Sequence, residues 1–80
     1  MNNLEIYKKV FTEAFGIDDS KLENLKYQDI SEWDSVGHMS LIASLEEEFN
    51  IEMEIDDIID FSSFEKGKEI VSKYNVEING

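Results

Sequence analysis

The sequence predicts an all-α fold, a small four-helix bundle with three main helices, one short helix and a long ordered loop after the first. Three observations predict it. Apolar residues recur at helical spacing in separate segments of the 80-residue chain. There is no proline and only four glycines, which argues against a turn-rich β sandwich. The chain is one domain in size, residues 1–80, and its 41% apolar residues exceed what a disordered acidic tail carries.

The first helix follows from residues 3 to 15. Leu4, Tyr7, Val10, Phe11, Ala14 and Phe15 share one face, Asn2 or Asn3 can cap the start, and Gly16 can end it. Residues 17 to 33 lack a clean period but carry Ile17, Leu22, Leu25, Tyr27, Ile30 and Trp33. So many anchors predict a loop packed onto the helices. A second helix is expected over 35 to 49, capped by Asp34 or Ser35 and ended by Asn50. Leu41, Ile42, Leu45 and Phe49 form its core stripe, while Val36 and Ala43 fall on the opposite side. A short helix near 56 to 60 should turn Ile58, Ile59 and Phe61 inward. The last helix should span about 63 to 74, with Ser62 and Glu65 at capping-box spacing and Phe64, Ile70, Val71 and Tyr74 buried. Gly67 inside it is expected to cost roughly 1 kcal/mol against alanine. The tail from Asn75 is expected to fray.

The charge has an address. The formal net charge is −12, with seven lysines and no arginine. Residues 27 to 65 hold twelve acids and no lysine, and the remaining stretches sum to zero. Such a surface disfavours nucleic acid, whose phosphates need cationic partners, and suits a basic protein. It serves either as a solubilising face or as a docking face, and composition does not choose. There is no cysteine, so disulfides, thiolate metal sites and a cysteine nucleophile are excluded. No apolar run is long enough for a membrane span, and no signal-peptide pattern is seen, so the cytoplasm is the default expectation.

Catalysis is not expected. Asp34, Ser35 and His38 contain the residue types of a hydrolase triad, but Ser35 and His38 lie one helical turn apart and diverge. His38, the single histidine, is expected at the core edge with one ring nitrogen on a backbone carbonyl or a carboxylate. Asp56, Asp57 and Asp60 do not match an EF-hand loop, because Ile58 and Ile59 interrupt them. Ser35 is the residue with chemical interest. A helix N-terminus offers free backbone N–H groups and positive dipole, which suit a phosphate ester on an exposed serine.

Asp34-Ser35-Val36 followed by Leu41-Ile42-Ala43-Ser44-Leu45-Glu46-Glu47-Glu48-Phe49 resembles the acyl carrier proteins, essentially over the whole chain. That resemblance implies a non-catalytic, stand-alone, monomeric carrier. Ser35 would carry 4′-phosphopantetheine, taken from coenzyme A by a phosphopantetheinyl transferase (holo-acyl-carrier synthase). The arm's thiol would hold acyl or aminoacyl groups as thioesters. Asp34 would be read by the transferase, and Val36 matches the exposed apolar residue beside the arm. Glu46, Glu47, Asp56 and Asp57 would belong to the face read by basic patches on acyl-loading and acyl-transferring enzymes, with Val36 and Ala43 as its apolar centre. An acyl chain would shelter near Phe49, Met53, Ile58 and Ile59. Gly37, His38 and Ser40 depart from the polar or acidic residues usual in fatty-acid carriers. A specialised biosynthetic pathway therefore suits the chain about as well as fatty-acid synthesis. The alternatives are an unmodified acidic adaptor for a basic protein partner, and a small calcium-responsive module.

Overall fold

A computed structural model describes residues 2–78. Four α-helices follow one another, α1 (Asn3–Phe15), α2 (Ser35–Phe49), α3 (Ile55–Asp60) and α4 (Phe64–Ser72), with a single 3-10 turn at Asp19–Lys21. Among the described residues there is no strand, and an isolated antiparallel bridge pairs Lys26 with Ser63. No described helix is long and apolar enough to cross a membrane.

The local signals act where they were read, with two changes at a cap and at the tail; in addition α4 stops at Ser72, which leaves Tyr74 past its end and half-buried. Asn2 caps α1 in a full capping box with Glu5, and Gly16 ends it at φ 64°, a left-handed conformation glycine adopts without strain. Asp34 caps α2, and Asn50 closes it at φ 54°. At α4 the cap is Ser63, whose hydroxyl accepts from Lys66 N–H at 2.9 Å. The expected Ser62–Glu65 box does not form, because Ser62 spends its backbone carbonyl on Tyr27 N–H while Phe64 N–H donates to Leu25 O. These two bonds stitch the long loop to the start of α4. The tail is the second change: Val76 is buried in the core cluster, so the chain stays packed past Asn75.

The core is aromatic. Tyr7, Phe11 and Phe15 of α1 meet Trp33 from the loop, Phe61 just past α3 and Phe64 at the start of α4. Each ring buried this way contributes on the order of 1.5–3 kcal/mol. Ala14, expected on the apolar face of α1, is exposed. Tyr7 places its hydroxyl in this interior and donates to Phe64 O at 2.7 Å. Burial first, and the nearby Glu65 charge second, push the phenol far above its ordinary value.

Gly67 has a reason the helical pattern did not show. A Cβ there would lie 2.2 Å from Phe61 Cζ and 2.2 Å from the Tyr7 hydroxyl oxygen. The glycine lets α4 approach α1 and the Phe61 ring.

Candidate functional site

Ser35 is the first residue of α2, and it is exposed. The Asp34 carboxylate turns back to accept Gly37 N–H at 2.8 Å, as an N-cap does. The Ser35 and Val36 backbone N–H groups have no protein acceptor among the described residues. Gly37 makes the tight turn possible, since a Cβ there would sit 1.9 Å from the Glu32 carbonyl oxygen. The loop therefore folds closely over the first turn of α2 and presents the serine outward.

Beside Ser35 lies an open, mainly apolar groove of about 360 Å³. Its walls come from Tyr27 of the loop, His38 and Met39 of α2, Ile58 and Ile59 of α3, and Phe61. Of the four residues expected to shelter a chain, Ile58 and Ile59 line this groove and Phe49 and Met53 do not. Phe49 and Met53 sit at the far end of α2 and beyond it, packed with the core cluster. Ile59 was expected inward and is exposed, because it stands at the groove rim with Phe61 taking the inward place.

His38 joins three elements. Its Nδ1 accepts from Trp33 Nε1–H at 2.9 Å, so that nitrogen carries no proton. Its Nε2–H must then donate to Ile58 O, 2.8 Å away. The ring lies nearly parallel to the Trp33 indole, the two planes 18° apart. The expected carbonyl contact is present, and the tryptophan contact is additional. Both ring nitrogens are occupied, so His38 is held away from general-base geometry with Ser35.

The expected docking residues divide into two groups. Asp34, Val36, Ala43, Glu47 and Asp56 are exposed, and Val36 keeps 75% of its surface open. Met39, Ile55 and Ile59 add further exposed apolar surface. Met39 follows Val36 by one helical turn, a spacing that could have marked it. Asp57 and Glu46 differ from expectation. Asp57 is buried and does not belong to the free acidic face: its carboxylate accepts from Lys73 Nζ at 2.5 Å and from the Tyr74 hydroxyl. The Lys73 bond first, then the Tyr74 bond, holds this carboxyl below its usual range against the opposing effect of burial. The same contact raises Lys73 above its ordinary value. Tyr74 also accepts Glu54 N–H at 2.9 Å, so the trio fastens the N-cap and first turn of α3 to the segment just past α4. Glu46 is half-buried and accepts Met53 N–H at 2.8 Å, bracing the turn after α2.

No group of three or more histidine, aspartate or glutamate side chains among the described residues is arranged to hold a metal ion. A scan against protein-family models, a search of curated proteins and a search of solved structures each find no match to this chain.

Proposed function

We propose that the protein is an acyl carrier whose Ser35 bears a 4′-phosphopantetheine arm. The observation that carries the reading is the placement of Ser35. An exposed hydroxyl stands at the N-terminus of α2, at the mouth of an apolar groove, inside the acidic stretch of the chain. The Asp34-Ser35-Val36 opening and the Leu45-to-Phe49 end of the same helix support it by resemblance.

In the modification, the Ser35 oxygen attacks the β-phosphorus of coenzyme A. The new bond is a serine phosphodiester, the pyrophosphate link breaks, adenosine 3′,5′-bisphosphate leaves, and the hydroxyl proton passes to the transferase. The helix dipole and the unpaired Ser35 and Val36 N–H groups favour the added negative charge. The carrier contributes no catalytic group. Its thiol is borrowed, in keeping with a chain that has no cysteine. Partner enzymes with basic patches would meet Asp34, Glu47 and Asp56 around the Val36–Ala43 surface. Such contacts are fast and salt-sensitive, which suits a protein that must leave each enzyme after its step.

Intact mass after incubation with coenzyme A, Mg²⁺ and a broad-specificity transferase tests the reading. The expected result is a gain of one phosphopantetheine in the parent and none in Ser35→Ala. No gain in the parent sinks the carrier reading and leaves the acidic adaptor. A gain that persists in Ser35→Ala moves the site elsewhere.

A further inference from the structure

We infer that His38 is a specificity-determining residue that closes the inner end of the groove and restricts its occupant to a short acyl group. The identity of the occupant rests on the carrier reading above; the closure rests on geometry. His38 lines the groove, whereas Trp33, to which it is hydrogen-bonded, does not line it and is completely buried. The imidazole is therefore the partition between groove and core.

That partition is fixed from several sides. Trp33 Nε1–H and Ile58 O hold the two ring nitrogens at 2.9 Å and 2.8 Å. The Tyr27 and Phe61 rings meet the imidazole edge to face, their centroids 5.5 Å and 5.9 Å away. Rotating His38 aside would strand the Trp33 N–H in an apolar interior, where an unpaired donor is costly. Behind it, Trp33 packs against Phe11 and Phe15 at centroid distances of 5.5 Å and 5.3 Å. A chain growing inward from the arm thus meets a pinned polar ring and then a filled aromatic core. The groove is open to solvent along its length and is closed at its inner end by His38. Methylenes beyond its length remain in water and add no stabilisation.

The test avoids any need for a transferase. Ser35→Cys introduces the single thiol of the chain, and alkyl methanethiosulfonates from ethyl to dodecyl attach chains of increasing length there. Two readouts follow, the thermal midpoint and the NMR shift of the single tryptophan's indole N–H. The midpoint is expected to rise over the short chains and to be flat from octyl onward, with the indole signal unmoved from octyl to dodecyl. In Ser35→Cys/His38→Ala the midpoint should keep rising to dodecyl and the indole signal should move with it. His38→Asn takes the alanine's place if that variant does not fold. A midpoint that climbs to dodecyl in the parent series, or a folded His38 variant that levels at the parent's length, overturns the inference. Absence of phosphopantetheine on wild-type Ser35 would instead sink the carrier reading, while the alkyl series would still decide whether His38 sets the length.

Discussion

Gly67→Ala separates local helix chemistry from tertiary packing, because the two assign it opposite signs. Position 67 lies inside α4, where replacing glycine by alanine in an open helix gains roughly 1 kcal/mol. Here the added Cβ lands 2.2 Å from Phe61 Cζ and from the Tyr7 hydroxyl oxygen. Ordinary carbon contacts begin near ~3.5 Å, so the neighbours must retreat by about 1.3 Å. Neither can do so easily. Phe61 is 1% exposed and Tyr7 0%, and the Tyr7 hydroxyl is anchored on Phe64 O. Overpacking costs about 1–3 kcal/mol, and two rigid neighbours place this site at the upper end. Losing the Tyr7 hydrogen bond adds about 1 kcal/mol. Against the helix gain, the net is a destabilisation of roughly 2–3 kcal/mol. For a domain of this length, that lowers Tm by roughly 10–20 °C. Urea and thermal unfolding followed by far-UV circular dichroism measure it directly. Tyr7→Phe combined with Gly67→Ala should cost less than the sum of the singles, because the clashing oxygen is gone. A Gly67→Ala protein as stable as the parent, or more so, would refute the packing argument.

Five further outcomes are expected. Asp57→Asn should lower stability at neutral pH by an amount that shrinks in acid. The folded carboxyl lies below its unfolded value of ~3.9, so its contribution is present above about pH 4 and is lost as pH falls through the folded value. Urea midpoints for both proteins across that range check it, and a constant gap would contradict it. Tyr7 acts at the other limb: its folded value is raised, so parent stability should fall as pH rises past ~10, a decline due to this phenol that Tyr7→Phe lacks. Gly37→Ala, by pressing on the Glu32 carbonyl, should cost about 1–3 kcal/mol and slow modification of Ser35. In transferase kinetics, Glu47→Lys should weaken the reaction more at low salt than at high salt with stability little changed. Glu46→Ala should instead register mainly as a stability loss, since it removes the acceptor that braces Met53 N–H. Equal salt slopes for Glu47→Lys and the parent would count against the acidic docking face.

The legibility of the site follows the range of the interactions involved. The bounds of α2, its Asp34 cap, its Asn50 terminus and the outward placement of Val36 and Ala43 all depend on residues within a few positions of one another. A local pattern reports such features, and the structure has them where expected. Ile59 was misplaced because a six-residue helix is too short for its period to say which isoleucine faces the core. Ser63 rather than Ser62 caps α4 because a bridge to the long loop uses the Ser62 carbonyl, and that loop lies far away in sequence.

By itself, then, the sequence determined an all-helical chain, the caps of α1 and α2, the aromatic and aliphatic stock of its core, and a serine at the head of an amphipathic helix. These depend on local spacing and on solvation of side chains. Tertiary structure alone decided which carboxylates are free. Asp57 is tied to Lys73 and Tyr74, sixteen and seventeen residues on, and Glu46 to a backbone N–H seven residues on. It also made Gly67 a close-approach site and His38 the partition between groove and core. Those roles come from elements brought together by folding, and helical periodicity carries no information about what lies across the interface.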